Sequence, residues 1–246
     1  MSGFEQALAA VRDVEGWLTD AQARMLWNRA QVLPAGSQIV EIGSFRGRSA
    51  IVLALGSEGR AALIAIDPHA GGDRGPRQIE ADAAAGEDDN RAFNANLARA
   101  GVADVVRHVR LPSDEALHEV DGKLDLLYVD GAHRYGPALA DLDRWGARVR
   151  PGGHMLVHDA FSSIGVTLAQ LRLLVAGHRF RYLGRAGSLV EYRREELAGL
   201  ARAKNAVRQL AQLPWFARNV LVKAAIVTRL RPVARALGHR EGPWPF

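Results

Sequence analysis

The chain has 246 residues, 48% of them hydrophobic, which is enough for one sizeable buried core and excludes a disordered composition. It has no cysteine, which excludes disulfides, thiolate metal sites and cysteine nucleophiles. The net charge of +5 is uneven: residues 193–246 hold 11 Lys+Arg against 3 Asp+Glu, or +8, leaving −3 on residues 1–192, so a basic end that meets a surface or partner fits better than a uniformly nucleic-acid-binding chain.

In chain order, residues 1–35 read as a helical cover, with Thr19 or Asp20 as N-cap before "AQARMLWNRA" and Pro34-Ala35-Gly36 as the stop. "QIVEIG" reads as a strand, "RSAIVLALGSEG" as a helix, "AALIAID" as a strand, His69 to Asp89 as a Gly-rich polar loop, and "DNRAFNANLARAG" as a helix. "DVVRHV", a short helix after Ser113, "LDLLYVD", a helix from Tyr135 to Arg148, "HMLVHD" and a helix around Val166–Ala176 follow. "RFRYLG" and "SLVEYR" close the series, joined by Arg185-Ala186-Gly187, which is too short for a helix and predicts an antiparallel hairpin.

Short apolar strands alternating with helices predict an α/β, doubly wound, mainly parallel seven-stranded sheet over residues 36–193. From about Arg193–Glu196 the spacing turns helical, so residues 194–246 read as a basic helical appendage interrupted at Pro214 and Pro232. Such an appendage packs on the body or on a second copy, or meets a membrane surface or acidic partner. No run of ~18 apolar residues could span a bilayer and the N-terminus lacks a signal pattern, so the expected location is cytoplasmic.

Two places carry chemistry. In "VEIGSFRGRS", Glu41 ends a strand, Gly43 and Gly47 lie in the turn and Ser49 opens a helix, an arrangement that lets backbone N–H groups approach a ligand. About twenty residues on, Asp67 ends the next strand, where a carboxylate can hold both hydroxyls of a ribose. The second place is the pair of strand ends "LLYVDGAHRY" and "GGHMLVHDAF", which deliver Asp130, His133, His158 and Asp159. In an open parallel sheet both ends face the ligand crevice, and strands ~4.8 Å apart allow their carboxylates to share one ion. Oxygen donors without sulfur suit Mg²⁺, and a nitrogen from His158 suits Mn²⁺ better, so Asp130, His158 and Asp159 are the expected metal ligands. His133, three residues beyond Asp130, is the expected general base. His69 opens the loop after Asp67, which could reach a substrate as a lid or be simply a solvated loop.

The spacing E-x-G-x-x-x-G, together with Asp67 and the terminal hairpin, resembles class I S-adenosylmethionine (SAM)-dependent methyltransferases from about Gly16 to Tyr192. The segments "EGWL", "VEIGSFRGRS", "LLYVDGAHRY" and "RPGGHMLVHD" resemble the branch of macrocin-type sugar O-methyltransferases and methyltransferases of methylated mannose polysaccharides. That resemblance implies Glu41, Gly43 and Ser49 around the methionine part of SAM, Asp67 at the ribose, and Ser113 or Asp114 near the adenine. It also implies O-methylation of a small hydroxylated, sugar-like acceptor with SAM, to which the ligand chemistry above adds Mg²⁺ or Mn²⁺; a homo-oligomer, a dimer, is expected, and no nucleic acid, since the site lacks the motifs for base methylation. His158 departs from the branch, whose usual residue there is acidic. Two rival readings are an RNA methyltransferase, which the basic tail favours and the site motifs do not, and a non-catalytic assembly or membrane module on the same fold.

Overall fold

The computed structural model describes residues 3–72 and 80–239. It contains seven strands, β1 Ser37–Ile42, β2 Ala61–Ile66, β3 Val106–Val109, β4 Leu124–Val129, β5 Val149–Val157, β6 Phe180–Ala186 and β7 Leu189–Arg194. They form one sheet in the order β3-β2-β1-β4-β5-β7-β6. The first five are parallel, and β7 pairs antiparallel with both β5 and β6. The expected hairpin is present. The chain order reverses between β1 and β4, which opens a ligand crevice at the carboxyl ends of the strands.

Helices α1 Gly3–Val11, α2 Asp20–Gln31, α3 Arg48–Ser57 and α4 Ala83–Arg99 precede β3; α5 Tyr135–Arg144 and α6 Ile164–Gln170 follow β4 and β5. Thr19 caps α2 reciprocally: its hydroxyl accepts from the Gln22 amide, and Gln22 Oε1 accepts from the Thr19 amide at 2.8 Å. The α4 helix starts earlier than the sequence suggests, because Asp82 caps it by accepting from the Ala85 amide. Residues 73–79 of the expected Gly-rich loop lie outside the described residues.

Period-2 alternation sorts each strand onto two cores. Ile39, Leu126, Tyr128 and Leu156 face α1–α4, while Val40, Ile42, Leu127, Val129 and Met155 face α5 and α6. Glu41 shares the phase of Ile39 and is fully buried. A carboxyl in that position is a cost of several kcal/mol unless something pairs with it.

The tail forms α7 Gly199–Leu210, α8 Leu213–Val227 and α9 Arg231–Ala236. Pro214 and Pro232 open α8 and α9 within their first turns, where no amide hydrogen is needed. Trp215 and Phe216 pack on the α5–α6 core, and α9 folds back on α8 through Val222, Ala225 and Ala234. Among the described residues no helix is long and apolar enough to cross a membrane.

Candidate active site

The turn after β1 is built on a glycine. Gly43 has φ +82°, and a Cβ there would lie 2.2 Å from the Asp130 carbonyl oxygen, so only glycine lets the ends of β1 and β4 meet. The amide of Asp130 donates to Ile42 O at 2.8 Å and that of Gly43 to Ile66 O at 2.8 Å, locking three strand ends together. Asp67 stabilises the turn from β2: its Oδ2 accepts from the Ser44 and Phe45 amides at 2.9 and 2.8 Å, its Oδ1 from the His69 amide at 2.8 Å. Glu41 Oε1 accepts from Ser49 Oγ, but its Oε2 is buried without a hydrogen-bond partner. Burial pushes Glu41 up to about 8, against the Ser49 hydrogen bond, so the carboxyl is largely neutral at pH 7.

Beside it, β4 and β5 deliver a compact polar cluster. Donor atoms of Asp130, His133 and Asp159 lie within 4.8 Å of one another. His133 Nε2 is hydrogen-bonded to Asp159 Oδ2, and Tyr128 donates its hydroxyl to Asp130 Oδ2 at 2.8 Å. His158 Nδ1 lies 3.2 Å from Asp130 Oδ1 and 3.8 Å from Asp159 Oδ2. Burial alone would lower His158, but Asp130 and Asp159 outweigh it and push the imidazole up to about 10. Burial would raise Asp159, yet His133 and His158 hold it well below the usual carboxylate range. The same contest leaves His133 above its ordinary value, through its bond to Asp159. The sequence expectation places His158 with Asp130 and Asp159; the compact donor group among the described residues contains His133, 40% exposed, and His158, 3% exposed, lies against both carboxylates behind it.

Residues 40–160, from β1 to the turn holding Asp159, match the family model described as a methyltransferase domain. No curated protein matches the chain by sequence. Among solved structures, the O-methyltransferase TomG of Streptomyces achromogenes, involved in tomaymycin synthesis and in complex with SAM, superposes with TM-score 0.54 at 20% identity, over 81% of this chain and 91% of that one. An O-methyltransferase from Bacillus cereus in complex with SAH gives 0.56 at 22% identity, over 79% and 91%. The SAH-bound Podospora anserina methyltransferase PaMTH1 gives 0.58 at 16% identity, over 80% and 89%. The fold is the Rossmann-like methyltransferase fold.

Within this methyltransferase fold the remaining expected residues fare differently. Ser113 does not face the crevice freely: its hydroxyl donates to buried Asp141, and its carbonyl accepts from Trp145 Nε1 at 3.1 Å. Asp141, raised by burial to about 6, sits against Gly131, while Asp114 is exposed. His69 is buried. Its Nε2 contacts Phe45 O at 2.7 Å and its ring packs on Phe93 and His108, so it braces the turn.

Three contributors were missed by sequence reasoning. Tyr128 was signalled by period 2, because it shares the phase of Asp130 on one strand. Asn219 and Lys223, both on α8, were not: Asn219 Nδ2 donates to Phe161 O at 3.2 Å and Lys223 Nζ to Ser162 O at 3.0 Å. They hold the turn in which Asp159 and Phe161 adopt φ +52° and +54°, a conformation that non-glycine residues keep only when their surroundings impose it. An i, i+4 polar pair in a tail carries no label saying which loop it will meet.

Proposed function

We propose that the protein is a SAM-dependent O-methyltransferase that acts on a hydroxyl of a small, sugar-like molecule with the help of a divalent metal ion. The observation that carries this reading is the meeting, at the carboxyl ends of the central strands, of the Glu41–Gly43–Asp67 turn with the Asp130–His133–Asp159 donor group.

The residues present fit SAM. The orphaned Glu41 Oε2 suits a positively charged methionine part, and Asp67 keeps acceptor capacity for ribose hydroxyls beyond its three backbone bonds. Ser49 would hold Glu41 in place, and Asp114, with Ser113 held by Asp141, would serve the adenine. SAM supplies the activated methyl group; the protein's part is to align an acceptor oxygen with it, which is worth several kcal/mol.

The donor chemistry also fits Mg²⁺ or Mn²⁺. Asp159 Oδ1 is buried without a hydrogen-bond partner, and two carboxylates side by side call for a cation. Held by Asp130, His133 and Asp159, the ion would supply acidity to the acceptor hydroxyl. Tyr128 fixes Asp130, and the α8 donors fix the Asp159 turn.

A second reading rests on His158. Its contact with both carboxylates places an imidazolium where other members of the resembling branch carry a third acid, so His158 itself balances Asp130 and Asp159. His133 is then the general base, with Nε2 held by Asp159 and Nδ1 buried without a hydrogen-bond partner.

The deciding experiment is transfer of labelled methyl from SAM to a panel of sugars, glycosides and catechols, in chelator and with Mg²⁺ or Mn²⁺. Metal-dependent methylation of sugar-type hydroxyls is expected. Full turnover in chelator selects the metal-free dyad, and absence of SAM binding in calorimetry removes the enzymatic reading altogether.

A further inference from the structure

We infer that the outer surface of α8 and α9 is a docking surface for an anionic lipid bilayer. Helix α8 uses one side for the body, through Trp215, Asn219 and Lys223. Its opposite side presents Pro214, Ala217, Leu221, Ala224 and Val227 to solvent. At 100° per residue these span an arc of about 140° without a charge, which is the breadth of an apolar helix face that normally packs on something.

The face is bordered by cations only. Residues 197–239 contain eight Lys+Arg and no Asp or Glu. Arg229, Arg231 and Arg235 are exposed beside the end of the apolar arc, which Leu230 and Val233 extend, 53% and 47% exposed. Among the described residues none of these three arginines joins an ion pair. An apolar arc rimmed by arginines matches the interface of an anionic bilayer, where apolar groups enter the acyl boundary and each cation near the surface adds attraction.

Two other occupants fit less well. A second copy related by a two-fold axis would bring the same patch against itself, adding arginines to the interface with no acid in the patch to pair with them. A nucleic acid would leave the uncharged arc facing phosphates that it cannot pair.

The test is flotation of the intact protein with phosphatidylcholine vesicles, with and without phosphatidylglycerol. Binding is expected only to the anionic vesicles and should weaken as salt rises. Joint Arg229→Glu, Arg231→Glu and Arg235→Glu replacement should lower partitioning by ~100-fold, and Leu221→Glu should lower it without altering circular dichroism or SAM binding. Equal binding to neutral vesicles, or none to either, overturns the inference. So does a dimer that Leu221→Glu splits in light scattering while vesicle binding persists, or salt-sensitive binding to RNA that exceeds binding to the anionic vesicles. SAM affinity, measured on the same variants, reports separately on the enzymatic reading.

Discussion

At the scale of single residues, Glu41 is the most informative group. A carboxyl raised to about 8 in the fold and near 4.5 in the unfolded chain contributes stability that is complete below pH 4.5 and is lost as pH rises through about 8. A cationic ligand reverses the preference. SAM binding near pH 7 should therefore release a proton, seen in calorimetry as a heat that depends on the buffer's ionisation enthalpy, and affinity should rise with pH up to about 8. Glu41→Gln should remove both effects. His158 has the same sign: raised from 6.5 to about 10, it stabilises the metal-free fold below pH 6.5, and this is lost as pH rises through about 10. His158→Asn should flatten that limb of the denaturation profile, and a limb unchanged by the substitution would show that His158 is not the group responsible. Asp67→Ala should weaken SAM binding by ~1.5–3 kcal/mol, since it removes charge-assisted bonds and also releases the Ser44 and Phe45 amides. An unchanged dissociation constant would place the ribose elsewhere.

At the scale of elements, α8 links tail and site. Asn219 is fully buried and its amide reaches Phe161 O across 58 positions of sequence, so Asn219→Ala leaves a buried carbonyl unpaired at a cost of ~1–3 kcal/mol. That cost falls on the turn carrying Asp159 and not on the Gly43 turn. Turnover should drop at least ~10-fold while the dissociation constant of SAM stays put, the signature of a lost transition-state geometry. Equal losses in both would mean that α8 supports the whole sheet. The β1, β2 and β4 ends, by contrast, are joined by backbone bonds and by the Asp67 carboxylate, none of them from the tail, so their geometry should survive changes in the tail.

At the scale of the molecule, the site has two halves with different electrostatics. The half on β1 and β2 holds one neutral acid and one carboxylate that accepts from three backbone amides; the half on β4 and β5 sets two carboxylates against two histidines. If a divalent ion replaces that balance, it should stabilise the folded protein by mass action, ~2.7 kcal/mol at a hundredfold excess over its dissociation constant. Thermal denaturation with Mn²⁺ should show this rise in wild type and not in Asp130→Asn, and the rise should shrink at lower pH as His133 and His158 compete as protons' hosts. No shift in wild type would favour the internal balance by His158.

The sequence by itself determined the sheet, the order of its elements and the strand ends that carry chemistry, because hydrophobic periodicity, glycine in tight turns and short connections are local or nearly so. Asp67, Asp130 and Asp159 were legible as strand-terminal acids, and Glu41 and Gly43 as parts of one turn. Only the tertiary structure decided which histidine faces the crevice, that His69 is a brace, that Ser113 serves Asp141, and that α8 grips the Asp159 turn. Each of these depends on which buried groups become neighbours across tens of residues, and the cost of leaving a buried polar atom unpaired settles such choices only once the chain has closed around it.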